Sequence, residues 1–187
     1  LLQWLGGIGI IVMAIAVLPM LRVGGMQLFK VEAFDAQEKI LPRAGQISVW
    51  ITIVYVALTL IWWLGLWLLG LDSFDAIVHA MTTIATGGYS SSDGSIGSYG
   101  SRSIEIFVIA GMLLGSLPFI LYLRMLREGS LALFRDSQVR CFLMVAAICA
   151  AAVSFWLWQD SELGGFDSLV IGTFNTVSLM TGTGFTS

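Results

Sequence analysis

Two short strings hold the residues whose types and spacing could do chemistry. Thr83-Ile84-Ala85-Thr86-Gly87-Gly88-Tyr89-Ser90 carries adjacent glycines between hydroxyls and no charge, and Met180-Thr181-Gly182-Thr183-Gly184-Phe185-Thr186-Ser187 closes the chain with a similar composition. Glycine adopts backbone angles that other residues avoid. The carbonyls of Thr86, Gly87 and Gly88, and those of Gly182, Thr183 and Gly184, can therefore turn to one side of an extended strand. Such a row of oxygens replaces the hydration shell of a monovalent cation. Hard alkali ions take oxygen ligands, and carbonyl dipoles hold them without the trap of a full carboxylate charge. The expected chemistry is coordination and passage. Tyr89 and Phe185 are expected to point away from the axis and brace the strands.

Other chemistries find little support. With one histidine, His79, and sparse charge, no Ser/His/Asp, Cys/His or paired-carboxylate arrangement is available, so no enzyme activity is expected. Gly182 to Ser187 lacks a full G-x-G-x-x-G, the lysine of a phosphate loop and any βαβ context. Cys141 and Cys149 lie eight residues apart on one apolar segment, about 12 Å of helical rise, too far for a disulfide. No Cys/His pattern has metal-ligand spacing. His79 and Asn175 read as hydrogen-bonded packing groups. Asp93 and Glu105 could concentrate cations at an outer mouth, but they read first as surface charges, offset by Arg102. Glycine-mediated helix packing is an alternative reading of the glycines, although it leaves the Thr/Ser flanks unexplained.

The elements that must position these strings follow from composition. The chain is 57% hydrophobic and 11% charged, whereas soluble domains are about 25% charged. The class is a polytopic membrane protein. Four apolar segments, 1–21, 47–71, 104–123 and 141–158, reach about 27 to 37 Å as helices, enough for a hydrocarbon core of about 30 Å. Eight of nine Lys/Arg lie between segments one and two (Arg22, Lys30, Lys39, Arg43) or three and four (Arg124, Arg127, Arg135, Arg140). The positive-inside rule places those loops in the cytoplasm. Trp62, Trp63, Trp67, Trp156 and Trp158 fit an interfacial aromatic belt near the outer surface.

Two further apolar stretches start from the outer side, at Phe74 and Phe166. The first, Phe74 to Ala85, is about 18 Å as a helix and cannot span. Its neighbouring segments both meet the outer side, so the chain between them must enter and return. A half-helix in and a non-helical climb out is tolerated only when buried in protein or lining a wet cavity. Both stretches begin Phe-Asp and lead to Gly, an aromatic and a hydroxyl. Phe74 to Gly88 is 14 residues and Phe166 to Gly184 is 18, so the second half-helix is expected to start one turn earlier. The C-terminal end of each half-helix carries partial negative charge, which favours a cation there. Gly6, Gly7 and Gly9 suggest a tightly packed helix that closes a preceding copy. The chain opens inside an apolar run and stops after the second string, which reads as a fragment of a longer protein.

The joint pattern resembles a known family. Leu1 to Gly9, Leu18 to Leu28, Phe74 to Ile77, Ala85 to Ser90 and Thr183 to Thr186 are similar to TrkH-type bacterial potassium transporters of the Trk/Ktr/HKT superfamily. The resemblance implies an all-α membrane protein, with tandem helix–pore loop–helix repeats in a four-repeat architecture around one potassium-channel-like pore. Residues 1–46 would then be the last helix of repeat one and a cytoplasmic loop. Residues 47–128 would be repeat two, and 129–187 the first helix and pore loop of repeat three. The carbonyls of Thr86, Gly87, Gly88, Gly182, Thr183 and Gly184 would face potassium, with Tyr89 and Phe185 supporting them. Only part of the T-V-G-Y-G of tetrameric potassium channels is kept in each string. The resemblance further implies potassium uptake across the bacterial inner membrane, by a channel-like pore or by symport. It implies a homodimer in lipid and a cytosolic nucleotide-binding regulatory subunit resembling TrkA, with no cofactor and no nucleic-acid partner. Two alternatives stay open: a transporter or channel for another cation or solute using re-entrant loops, and a structural subunit.

Overall fold

The computed structural model describes residues 1–21, 44–129, 135–161 and 164–187. Regular structure among these residues is entirely helical: α1 (Leu2–Leu21), α2 (Ala44–Leu68), α3 (Ser73–Ile84), a 3-10 turn (Ile96–Tyr99), α4 (Arg102–Ser116), α5 (Phe119–Glu128), α6 (Ser137–Asp160) and α7 (Gly165–Met180). Arg22, Lys30, Lys39 and Arg43, half of the basic set that orients the chain, lie outside the described residues. Arg135 and Arg140 are exposed around the start of α6.

Local chemistry sets the helix ends. α2 closes in a Schellman turn, with Leu71 N donating to Leu66 O and Gly70 N to Trp67 O. Asp72 then caps α3 by accepting from Phe74 N. Asp136 caps α6 by accepting from Gln138 N and Val139 N. Among the described residues two helices, Gln46–Leu68 and Ser137–Asp160, are long and apolar enough to cross a membrane, and the α4–α5 pair would be a third if counted as one span.

That pair corrects the expected straight helix over 104–123. α4 and α5 meet at 92°. Pro118 supplies no N–H and drives the preceding residue out of the helical region; Leu117 is extended, with φ −75° and ψ 148°. Pro118 cannot donate to Leu114 O, which accepts instead from Leu117 N and Tyr122 Oη, while Ser116 Oγ donates to Leu113 O. α5 folds back on α2, where Phe119 meets Tyr55 edge-on at 5.5 Å between ring centroids.

The core lies around α3. Tyr55, Leu66, Ile84, Ile96, Met112 and Phe174 are fully buried. α1 joins α2 through Trp4 Nε1 to Thr59 Oγ1 (3.0 Å) and Tyr55 Oη to Trp4 O (3.0 Å). Gly7 approaches Tyr55, whereas Gly6 and Gly9 have no such neighbour among the described residues. Trp62 is buried, donating to Phe107 O at 3.0 Å, so it leaves the aromatic belt, while Trp67, Trp156 and Trp158 are exposed. α6 buries one small-residue stripe, Ala146, Ala150 and Ser154, spaced four apart. Small residues let helix backbones approach without a hydrophobic drive between them. α7 answers with Gly172, whose Cβ position lies 2.4 Å from Ser154 Oγ.

Candidate functional site

α3 spans 12 residues and α7 spans 16, so both are half-helices and the second is one turn longer. Each ends in the same turn. Ala85 N, Thr86 N and Gly87 N donate back to Met81 O (3.1 Å), Thr83 O (3.1 Å) and Thr82 O (2.7 Å). Thr181 N, Gly182 N and Thr183 N donate to Val177 O (2.9 Å), Leu179 O (3.1 Å) and Ser178 O (2.9 Å). Every donor and acceptor of the second set stands 96 positions after its counterpart in the first, as Thr183 does after Gly87.

The strands beyond these turns alternate in hand. Positive φ falls on Thr86 (48°) and Gly88 (67°), and on Gly182 (71°) and Gly184 (86°). The sign of φ thus alternates from residue to residue along each string. The first N–H groups are consumed by the half-helix end. Among the described residues no hydrogen bond ends on the carbonyl oxygens of Thr86, Gly87, Gly88, Gly182, Thr183 or Gly184. The next carbonyl of each strand is pinned: Thr82 Oγ1 donates to Tyr89 O at 2.8 Å, and Ser178 Oγ to Phe185 O at 2.7 Å.

The two strands meet. A Cβ on Gly88 would lie 2.0 Å from Thr183 O and 3.1 Å from Gly184 C, so only glycine permits this approach. On its other side the strand is backed by α1, where the Gln3 carboxamide fills the space a Cβ on Gly87 would take. The outer segment of residues 92–100 braces the last residues of the chain: Gly97 N donates to Thr186 O (3.1 Å), and Thr186 N to Ser95 Oγ (3.2 Å).

The two aromatics expected to brace the strings differ. Phe185 is buried, whereas Tyr89 is 68% exposed, so the bracing expected of Tyr89 has no counterpart among the described residues. Glu105 departs from the surface-charge reading. It is 1% exposed, and both its oxygens accept from Arg102 Nη1, at 2.8 and 2.7 Å. A carboxylate is tolerated there because the guanidinium one turn earlier neutralises it. Arg102 Nε also donates to Asp167 Oδ1 at 2.7 Å, tying α4 to the start of α7. Asp93 remains exposed. Asp75 accepts from Ser91 Oγ (2.8 Å) and Tyr99 Oη (3.0 Å), bonds that hold its carboxyl below the ordinary range.

Gln3, Thr82, Ser178 and Ser95 were not among the expected site residues. Thr82 and Ser178 had a readable signal, since each stands seven positions before the aromatic that follows Gly88 or Gly184. Gln3 and Ser95 act across the fold and had none.

The profile of the TrkH family, described as cation transport protein, matches residues 1–187. The chain belongs to the TrkH family. Among TrkH-type relatives, the Trk system potassium uptake protein TrkI of Halomonas elongata is 44% identical across the whole of this chain and 38% of its own length. Trk system potassium uptake protein TrkH of Escherichia coli K12 is 36% identical across the whole chain and 40% of its length. This chain therefore spans about two-fifths of the curated relatives it matches. The crystal structure of the potassium transporter TrkH from Vibrio parahaemolyticus superposes with a TM-score of 0.83 at 31% identity, over 99% of this chain and 37% of that one.

Proposed function

We propose that this chain is the middle part of a potassium-uptake protein, and that its two glycine strands are two sectors of a carbonyl filter through which K⁺ passes. The observation that carries the reading is the contact of Gly88 with the Thr183 carbonyl. Two strands whose carbonyl oxygens take no hydrogen bond from the described residues stand side by side, each at the C-terminal end of a half-helix whose dipole favours a cation. Thr86, Gly87, Gly88, Gly182, Thr183 and Gly184 supply the oxygens, and Phe185 supports them. On this reading residues 47–128 form one helix–pore loop–helix repeat. Residues 1–46 and 129–187 belong to the repeats on either side, and a fourth repeat completes the ring. The whole protein is a multi-pass transporter of the bacterial inner membrane, a homodimer, and the target of a cytosolic nucleotide-binding subunit resembling TrkA.

Potassium-dependent growth of an uptake-deficient bacterium tests this. The full-length protein containing this chain should restore growth at low K⁺, and Gly88→Ser or Gly88→Asp should abolish rescue while the protein still reaches the membrane. Unchanged uptake and ion preference in both variants would sink the assignment.

A further inference from the structure

His79 is the only histidine of the chain and sits on α3 with none of its surface exposed. Its Nδ1 is 2.7 Å from Asp75 O, one turn earlier. A carbonyl oxygen only accepts, so Nδ1 carries the proton and donates. In the neutral ring Nε2 is then an acceptor, and Ser90 Oγ at 2.9 Å donates to it. The same hydroxyl accepts from Ser92 N at 3.0 Å. Ser90 directly follows the strand Thr86 to Tyr89, so the imidazole holds that strand's outer end. Tyr99 meets the ring edge-on at 5.4 Å between centroids, and Phe185 lies at 6.0 Å, tilted by 38°. Phe185 belongs to the other strand. One imidazole therefore touches both.

The second half-helix repeats the device with an amide. Asn175 stands 96 positions after His79. Its Nδ2 donates to Ile171 O at 3.1 Å, the carbonyl matching that of Asp75. Its Oδ1 accepts from Ser187 N at 3.3 Å, one residue past the position matching Ser90. Two different side chains at one register thus each bond back to the preceding turn and outward near the strand's end, to a hydroxyl in one case and to a backbone N–H one position later in the other. Packing alone would not require that agreement.

We infer that His79 is a positioning residue for cation selection: its bond to Ser90 and its contact with Phe185 hold the two carbonyl strands in one relative setting. It does not touch the ion. Whether selection arises from cavity size or from the number and field of the carbonyl dipoles, it depends on where the strands stand, as metal sites depend on the groups behind their ligands. This inference rests on the potassium-filter reading above.

The test uses the full-length protein in uptake-deficient cells, with K⁺ and Na⁺ uptake measured separately and membrane abundance measured alongside. His79→Ala and Ser90→Ala should each raise the Na⁺:K⁺ uptake ratio about fivefold, the weight of one hydrogen bond. The double variant should be no worse than His79→Ala, because both remove the same bond. His79→Asn, the solution found at position 175, should restore most of the K⁺ preference. An unchanged ratio in Ser90→Ala, which deletes a single oxygen, would overturn the inference even if His79→Ala failed to accumulate. So would additive effects in the double variant. Wild-type protein without K⁺ uptake would overturn the filter reading and this inference together; a K⁺-selective wild type whose variants keep its ratio would overturn this inference alone.

Discussion

The backbone of Gly88 lies against the carbonyl of Thr183, with 2.0 Å between that oxygen and the position a Cβ would take. Residues 95 positions apart in the chain are thereby made neighbours. The obstacle to a side chain at Gly88 is backbone, which cannot swing aside.

Gly87 differs in that respect. The three atoms nearest a Cβ there all belong to the far end of the Gln3 side chain, and Gly87 does not have positive φ. Gly87→Ala should therefore retain assembly and part of the uptake, whereas Gly88→Ala should lose uptake. Adding Gln3→Ala should rescue Gly87→Ala further and leave Gly88→Ala unchanged. Uptake rates normalised to membrane protein decide between these outcomes.

Thr86 is a β-branched residue at φ 48°, and its counterpart 96 positions on is Gly182 at φ 71°. The left-handed region costs an L-residue about 1–2 kcal/mol, while glycine costs about 0.5–1 kcal/mol in chain entropy. Thr86→Gly should leave stability unchanged or raise it by up to about 1.5 kcal/mol. Gly182→Thr should lower it. Thermal unfolding in detergent reads both signs.

The Arg102–Glu105 pair is lopsided in burial, with side-chain exposures of 34% and 2%. Removing Arg102 strands a buried carboxylate, and such a loss costs about 3–5 kcal/mol. Removing Glu105 leaves a guanidinium that still reaches water and Asp167, so the cost should be smaller. Arg102→Ala is expected to destabilise more than Glu105→Ala, and the double variant to recover part of the loss. Equal effects in a denaturation series would contradict this account.

Asp75 carries the pH dependence of the outer segment. Its bonds from Ser91 and Tyr99 hold its carboxyl low. A carboxylate with a lowered folded value contributes above its ordinary range and loses that contribution as pH falls through the lowered value. Protection of the segment 91–99 should therefore persist through neutral and mildly acidic pH and fall only in strong acid. Ser91→Ala with Tyr99→Phe should remove both bonds and the contribution with them, so protection is lower already at neutral pH and its fall in acid is flattened, as read by hydrogen exchange of the segment.

Much of the fold was legible in the residues because its signals are local. Hydropathy marks α2 and α6, and length marks α3 as a half-helix. The one-turn excess of α7 follows from the Phe-to-Gly spacings. The break at Pro118 was written in the sequence too, but the uniform hydropathy around it reads as one continuous span.

The sequence by itself determined the class, the half-helices and the two glycine strings, since composition, helix length and glycine's backbone freedom need no distant partner. The tertiary structure decided which groups face each other. It sank Glu105 beside Arg102, left Tyr89 exposed while burying Phe185, and set the Gln3 carboxamide behind Gly87. Those outcomes depend on contacts between residues far apart in the chain, and no local propensity encodes which distant surface will arrive.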